Sequence, residues 1–405
     1  MKEYKISFKN KLLVFLLIFI LLSVLTGIII RFFYLQNISK SKLLLETNEI
    51  NRIEVQQKII QTEYEQIISD LLYLADYSAL QSVFENRNQE SLQRLEKDFL
   101  IFSEKKGIYD QVRYINEEGN EIVRINYNGG NPSIVQKQNL QNTTLSYYFQ
   151  ETISLNRGEL YISPFDLNTE KGEIETPLKP MIRFATPVFD KRGPKQGIMV
   201  LNYLGNIILK RLRTGSEDVS GRTMILDSEG YWILGPSPDL EWGFMYEDKK
   251  DLVLEKYDPI AYVAIYEREQ GQFYTKRGLF SFVTIRHFLE PSKTGLGEMR
   301  LFSPKKPIKE IAQYYWKIVS FVPGDQLYKI RQNSINNYIK IYFVLFIISG
   351  VLLWFSTDQY FKQKSALKKV EEFATYDAMT GLLNRRVGLL FLEKEIKNTN
   401  RKGTP

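Results

Sequence analysis

The chain has 405 residues, with 54 basic against 47 acidic side chains for a formal charge of +7, and it contains no cysteine and a single histidine. The lack of cysteine excludes disulfide bonds, thiolate metal sites and a cysteine nucleophile, and one histidine cannot build a multi-histidine metal centre. The length predicts two to three domains, and a hydrophobic fraction of 44% is ordinary for a folded protein. Basic residues concentrate only beside apolar runs, so we expect membrane topology, not nucleic-acid binding, to explain them.

Two apolar runs predict membrane-spanning helices at residues 12–34 and 338–357. No charged residue occurs in Leu12–Ile30, and at 1.5 Å per residue this run crosses about 28 Å of hydrocarbon. Arg31–Tyr34 follows where a signal peptide would have small residues, so the run is interpreted as an uncleaved anchor. The second run, Ile341–Thr357, also lacks charges.

Lysines flank both runs on the terminal side. They occur in the tail 1–11 and again after the second run, between residues 362 and 369. Because cytoplasmic flanks are enriched in lysine and arginine, both termini are predicted to be cytoplasmic and residues 36–335 to be exported. The lipid bilayer is then an expected partner.

A long amphipathic helix is predicted to follow the first span, over residues 36–75. Ile53, Ile60, Ile67 and Leu74 recur every seven residues, which is the spacing of one helical face. The stripe fits a helix that packs on its own domain and equally one that also pairs with a second subunit.

Two similar β-hairpins are predicted farther along the chain. Strand-like runs flank Asn116-Glu117-Glu118-Gly119, and the same arrangement returns around Asp227-Ser228-Glu229-Gly230. Each turn ends in a glycine that can adopt positive φ. The repetition predicts an α+β fold with two copies of one antiparallel-sheet module, at 76–210 and 220–325.

A membrane-emergent helix, two tandem sheet modules and a return to the membrane resemble the double Cache (tandem PAS-like) sensor domains of bacterial receptors. The local resemblance is carried by Leu160–Asn168 and Lys179–Asp190, and it extends over most of residues 36–330. It implies a protein of the bacterial inner membrane, in which the first module is membrane-distal and binds an extracytoplasmic small molecule, and it implies a homodimer.

The resemblance also implies a set of polar ligand contacts. Arg183 could hold a carboxylate and Asp166 an amine by charge-assisted hydrogen bonds, while each also has an ordinary structural explanation as a strand or turn residue. The arginine–tryptophan motif of amino-acid-binding Cache domains is absent, which argues against an amino-acid ligand. His287 is expected to be a structural strand residue. The candidate contacts are Tyr147, Tyr148, Tyr161, Asp166, Arg183 and Asn202.

After the second span, residues 358–373 are predicted to form a cytoplasmic signalling helix, because Tyr360, Leu367 and Ala374 are seven residues apart. The chain then reads A-T-Y-D-A-M-T-G-L-L-N-R-R from Ala374 to Arg386. This is similar to the opening of GGDEF domains, with Met379 replacing the usual leucine. The matching residues, all in the family's structural opening segment, include Asp377, Thr380, Gly381, Leu382, Asn384, Arg385 and Arg386.

The resemblance implies a diguanylate cyclase, which joins two GTP molecules into cyclic di-GMP with Mg²⁺ across a dimer interface. The catalytic and metal-binding motifs come later in that family, and residues 374–405 are too few for the domain. No catalytic residue, metal or cofactor is therefore assigned to this chain, and Mg²⁺ and GTP are expected only with a complete GGDEF domain.

Two hypotheses follow for the whole protein. In one, the chain is the sensor and transmission part of a cyclase; in the other, it is a complete, non-catalytic membrane sensor. A chemoreceptor or histidine kinase output is disfavoured, because no HAMP-length linker, methylation coiled coil or phospho-acceptor helix follows the second span.

Overall fold

The computed structural model of the chain describes residues 8–170, 172–214, 221–286, 300–301, 315–377 and 380–402. Contacts divide the chain into two units. One is Leu43–Tyr328, and the other combines Met1–Lys42 with Lys329–Pro405.

Helices and strands alternate irregularly along the described residues. The helices are α1 (Phe8–Ala75), α2 (Ser78–Asn86), α3 (Gln89–Lys106), α4 (Tyr147–Ile153), α5 (Asn206–Thr214), α6 (Leu254–Tyr257), α7 (Pro259–Tyr266), α8 (Gly324–Thr375) and α9 (Arg385–Lys402). The strands are β1 (Tyr109–Ile115), β2 (Glu121–Asn126), β3 (Ser133–Ile134), β4 (Glu159–Ile162), β5 (Asp166–Leu167), β6 (Thr169–Glu170), β7 (Glu173–Ile174), β8 (Pro180–Phe189), β9 (Lys195–Leu204), β10 (Arg222–Leu226), β11 (Trp232–Leu234), β12 (Gln270–Thr275), β13 (Gly278–Arg286), β14 (Arg300–Leu301) and β15 (Tyr315–Pro323).

The unit formed by the two chain ends contains a pair of helices, the beginning of α1 and most of α8. Both are long and apolar enough to cross a membrane, and their apolar stretches are not buried by protein. The helices run antiparallel, since Phe19 contacts Phe346 at 4.7 Å between ring centroids and Phe15 contacts Trp354 at 5.3 Å. The two candidate spans therefore pack against each other through aromatic side chains.

In the unit Leu43–Tyr328, the remainder of α1 forms a stalk that packs on both sheets. Ile60, Ile67 and Leu74 are almost completely buried, as the seven-residue spacing predicts. The Tyr64 ring lies 5.3 Å from that of Phe184 and 6.1 Å from that of Trp316, in β8 and β15 respectively. The apolar stripe is thus buried within this chain, and its pairing with a second subunit stays a prediction.

The first sheet contains the predicted hairpin of β1 and β2. Its strand order is β14-β4-β8-β9-β1-β2-β3, with β5 beside β8. The turn at Asn116 closes with a hydrogen bond that the Gly119 amide donates to the Asn116 carbonyl, and Gly119 has a φ of +79°. Positive φ is the reason why glycine is required there.

The second sheet has the order β11-β10-β15-β13-β12. It repeats the path β2-β1-β9-β8-β4 of the first sheet, strand by strand. Its hairpin turn is built in the same way: the Gly230 amide donates to the Asp227 carbonyl, and the Asp227 carboxylate accepts from the Tyr231 amide. The repeated turn confirms the predicted α+β fold with two similar modules, called here the first and the second module.

The first sheet is buried on both faces. Val112, Phe184 and Leu201 on one face join the large core that includes α1 and α3. On the opposite face, Ala185 and Val200 lie under Tyr148 and Phe149 of α4. Helix α4 therefore covers a separate face of the first module, and this face holds the polar residues described next.

Candidate ligand-binding site

Two buried arginines lie on the sheet face beneath α4. Arg183 of β8 is directly opposite Asn202 of β9, and Asn202 is in turn opposite Gln111 of β1. Because alternate residues of a strand share a face, Arg113 lies on this face next to Gln111. Arg113 and Arg183 are only 5% and 8% exposed, so each needs a counterion or acceptors within the protein.

Arg113 binds three side chains. Its guanidinium donates to the Tyr148 hydroxyl and to Asn202 Oδ1, both at 2.8 Å, and it forms an ion pair with Glu121 at 3.4 Å. Its Nε atom is buried and has no hydrogen-bond partner within the described ranges. Glu121 is held in turn by the Gln141 amide at 3.0 Å. Arg113 is thus a fixed, buried cation in this network.

Arg183 is the centre of a second network. It forms an ion pair with Asp166 at 2.9 Å and donates to the Tyr147 hydroxyl at 2.9 Å and to Asn168 Oδ1 at 3.1 Å. Burial raises the pKa of the Asp166 carboxyl, and the Arg183 charge cancels only part of that rise. Burial works against the charge of Arg183 as well, but Asp166 raises the pKa of the guanidinium above its ordinary value.

Helix α4 places one tyrosine ring over each arginine. The Arg113 guanidinium carbon is 4.8 Å from the Tyr148 ring centroid, and that of Arg183 is 5.9 Å from the Tyr147 ring centroid. Burial raises the pKa of the Tyr148 phenol, but the adjacent Arg113 charge lowers it below its ordinary value overall. Consecutive helical residues thus connect the two arginine networks.

The predicted contacts are brought together, though with different partners than expected. Arg183 and Asp166 bind each other, so a ligand carboxylate on Arg183 would have to compete with Asp166. Tyr161 is buried in the apolar cluster beneath α4. Whether any of these residues contacts a ligand stays a prediction, and His287 lies outside the described residues.

Sequence reasoning missed Arg113, Glu121 and Asn168. The available signal was an arginine within the otherwise apolar run Val112–Ile115, directly before the predicted turn. Such a cation in a buried strand requires a carboxylate nearby, and Glu121 begins the partner strand of the same hairpin.

The second module has apolar residues at the ladder positions that correspond to Arg113, Arg183 and Asn202. Phe280 of β13 is opposite Phe321 of β15, as Arg183 is opposite Asn202. By the same register, Met224 of β10 corresponds to Arg113. The second module therefore has the same strands without the two arginines.

A comparison with known families identifies the kind of domain that the two modules form. The sequence of residues 47–294 matches the family model described as the sensor domain of bacterial histidine kinases. This is well over half of the chain, and the chain belongs to that family. The match ends before the second candidate span, so it identifies the sensor and leaves the output open.

Two solved structures show the same fold. The extracellular domain of the candidate histidine kinase vpHK1S-Z8 has a TM-score of 0.57 at 18% identity, covering 76% of this chain and 98% of that one. A domain of a candidate sensory box/GGDEF family protein from Vibrio parahaemolyticus has a TM-score of 0.56 at 18% identity, covering 73% and 99%. A search of the curated proteins found no match.

Proposed function

We propose that the protein is a two-pass receptor that binds a small acid between the first sheet and α4 and transmits its occupancy to a cytoplasmic GGDEF domain. The observation that carries the ligand proposal is the pair of buried arginines on one sheet face. Buried ion pairs contribute little net stability compared with apolar packing. A binding role explains why the first module retains charges where the second has Met224 and Phe280.

The ligand chemistry follows from the two networks. A carboxylate can accept from Arg183 after displacing Asp166, whose raised pKa makes this carboxyl the more readily neutralised partner. A donor group on the ligand can then be held by Asp166. Tyr147 is 44% exposed whereas Tyr148 is 9% exposed, so we propose that the ligand enters on the Arg183 side and that Arg113 forms the deeper wall.

The ligand proposal is tested with the full chain in lipid nanodiscs and a panel of small carboxylic acids, including amino acids. We expect at least one acid to raise the unfolding temperature, since a ligand that binds only the folded state stabilises it. Arg183→Ala should abolish the increase, while Arg94→Ala, at an exposed position in α3, should retain it. An increase that persists in Arg183→Ala would remove this residue from the site.

The topology proposal is supported by an ion-pair cluster at one end of the helix pair. Lys11, before the first candidate span, pairs with Asp358, and Asp358 also pairs with Lys362 at 2.8 Å, after the second span. Charged side chains at this end are expected outside the hydrocarbon. Their lysine content supports a cytoplasmic position for both termini.

The output proposal depends on the segment between α8 and α9. Asp377 accepts from the Thr380 amide and hydroxyl at 3.0 Å each, and Gly381 has a φ of +69°. Asn384 Oδ1 accepts from the Arg386 amide at 3.2 Å, where α9 begins. The residues that match the GGDEF opening thus lie where one helix ends and the next begins. This position supports a structural role for the motif.

The sensor fold does not select the output, because the two similar structures come from a candidate histidine kinase and a candidate GGDEF protein. The output proposal is tested by reading the coding frame past codon 405 and measuring cyclic di-GMP in cells that express the whole frame. We expect a Gly-Gly-Asp/Glu-Glu-Phe motif and a ligand-dependent nucleotide level. A frame without this motif would contradict the cyclase.

Transmission through α8 has its own test. Leu367 lies in this helix, between the candidate span and the GGDEF-like segment, and is exposed. Leu367→Pro breaks the backbone hydrogen bonding of the helix, whereas Leu367→Ala retains it. We expect the proline variant to lose ligand-dependent output and the alanine variant to keep it. Unchanged regulation in Leu367→Pro would contradict transmission through the helix.

A further inference from the structure

The Arg183 network is electrically balanced without a ligand. Arg183 is its cation and Asp166 its anion, and the two are joined by an ion pair at 2.9 Å. Their side chains are only 9% and 19% exposed, so water and salt screen an added charge weakly. The other arginine on this sheet face, Arg113, already pairs with Glu121 at 3.4 Å. An anion that binds at Arg183 therefore needs a compensating positive charge.

Arg183 is the cationic partner of Asp166 in the part of the chain that the structure describes. Arg183 of β8 donates to Asp166 Oδ1 at 2.9 Å, and the Tyr147 hydroxyl of α4 donates to Oδ2 at 3.3 Å. Burial raises the pKa of the Tyr147 phenol, so this group stays uncharged. Lys179, directly before β8, is paired with Glu175 at 2.8 Å. Among these residues, Asp166 therefore depends on Arg183 to stay ionised.

A ligand carboxylate on Arg183 places two carboxylates beside one guanidinium. Carboxylates that share a partly buried site do not both stay ionised, because each charge raises the pKa of the other group. Burial already raises the pKa of Asp166, and the Arg183 charge offsets only part of this rise. When Arg183 is shared with a second anion, the offset shrinks and the pKa of Asp166 rises further. Asp166 is therefore the group that takes up a proton.

We propose that the first module binds a monocarboxylic acid together with one proton, which Asp166 takes from the solvent. This coupling rests on the acid site proposed above and requires a ligand with a single negative charge. A protonated carboxyl group has an O–H donor, so Asp166 changes from a competitor for Arg183 into a donor for the bound carboxylate. The receptor then responds to a weak acid most strongly in an acidic medium.

The sign of the pH dependence follows from the proton count. The complex holds one more proton than the free protein and the free anion, so binding weakens as the pH rises. With complete uptake the Kd increases about tenfold per pH unit. An acid that carries an ammonium group next to its carboxylate brings its own positive charge. Such a zwitterion is expected to bind without a proton, with its ammonium group on Asp166.

The probes are propionate, lactate and alanine, which share a three-carbon skeleton and differ in one substituent. Propionate and lactate are anions between pH 6 and 8, whereas alanine is a zwitterion. Binding is measured at pH 6, 7 and 8 and constant ionic strength, by NMR titration with the full chain in nanodiscs. Asp166→Asn removes the proposed proton acceptor, and Asp76→Asn makes the same substitution at an exposed position. Thermal unfolding at each pH confirms that both variants fold.

We expect the Kd of propionate and of lactate to increase about tenfold per pH unit in the parent and in Asp76→Asn, while that of alanine changes less than about twofold. In Asp166→Asn the pH dependence should disappear. Propionate should also bind this variant more tightly than the parent at pH 8, since no anion competes for Arg183.

Propionate binding that does not depend on pH would overturn the proton coupling but keep the acid site. It would place the carboxylate near Arg113, where Arg124, 3.6 Å from Glu121, supplies a second cation. An equal pH dependence in the parent and in Asp166→Asn would also overturn the coupling to Asp166. If propionate and lactate do not bind while alanine or another acid of the panel does, the proposed ligand class is wrong. If no acid binds, the acid site itself is refuted.

Discussion

The two modules share one strand path and one turn design, yet their covered faces differ in chemistry. Where the first module has Arg113 and Arg183, the second has Met224 and Phe280 at the same ladder positions. Phe280 contacts Phe321 at 4.5 Å between ring centroids. The shared strand path thus does not require charge at these two positions, which agrees with the binding role proposed for the arginines. The second face does have a buried cation, Lys317, but it lies at the position that corresponds to Ile198.

The largest effect is expected when an arginine is introduced in the second module at the position that corresponds to Arg183. Phe280→Arg buries a cation among apolar side chains, where Phe273 also stacks at 5.4 Å. We expect a loss of about 4 kcal/mol or more in the free energy of unfolding, measured by pulse proteolysis across a urea series. Phe280→Leu, the control, should cost about 1 kcal/mol. A tolerated arginine would mean that the second face can also hold an ionic site.

The reverse exchange, Arg113→Met, should also destabilise the protein, because it leaves Glu121 buried without its nearest cation. We expect a loss of about 3 kcal/mol by the same measurement. Adding Glu121→Gln should recover at least about 1 kcal/mol, since the uncompensated charge is then removed. If Arg113→Met alone is as stable as the parent, Arg124 suffices as the counterion of Glu121, from which it lies 3.6 Å away.

A smaller effect is expected at the rim of the first site. Asp166→Asn removes the ion pair with Arg183 but leaves the hydrogen bonds from Arg183 to Tyr147 and Asn168. Because the Asp166 side chain is 19% exposed, we expect a loss of about 1–2 kcal/mol, measured as a urea midpoint. Tyr147→Phe, which removes one hydroxyl, should cost less. If Asp166→Asn stabilised the chain, the ion pair between Asp166 and Arg183 would be strained, and its only role would be in ligand binding.

The second module has a buried cation of its own, and its effect should appear as a pH dependence. Burial lowers the pKa of Lys317 from 10.5 to about 8, with Glu269 opposing and Arg286 adding to the shift. Between these pH values the unfolded chain binds a proton that the folded chain lacks, so this group makes stability rise with pH. The rise should be smaller in Lys317→Met by about 2 kcal/mol between pH 7.5 and 10.

The unfolding temperatures of the parent and of Lys317→Met are measured at pH 7.5 and at pH 10. The other lysines and the tyrosines titrate in both proteins, so their effects cancel when the two pH dependences are subtracted. Tyr266 and Tyr315 face the ammonium group, so the comparison is repeated in Tyr315→Phe as a control. Parallel pH profiles for the parent and Lys317→Met would show that the pKa of Lys317 is not shifted.

The hairpins and the two spans could be predicted because their signals are local. Turn residues such as Gly119 specify a hairpin by themselves, and an uncharged apolar run specifies a span. The hydrogen-bond networks of Arg113 and Arg183 were harder to predict from the sequence. Arg113 lies in a strand buried on both faces, where the alternation of polar and apolar residues is lost. Asp166 meets Arg183 only because β5 pairs with β8, a tertiary contact that sequence spacing does not reveal.

The most direct test of the central claim is hydrogen exchange by mass spectrometry, on the full chain with and without an acid that stabilises it. If the first module holds the ligand, amides of α4 (Tyr147–Ile153) should exchange more slowly with the acid present, while those of α7 (Pro259–Tyr266) in the second module should be unchanged. Slower exchange in α7 without a change in α4 would place the ligand in the second module and contradict the account.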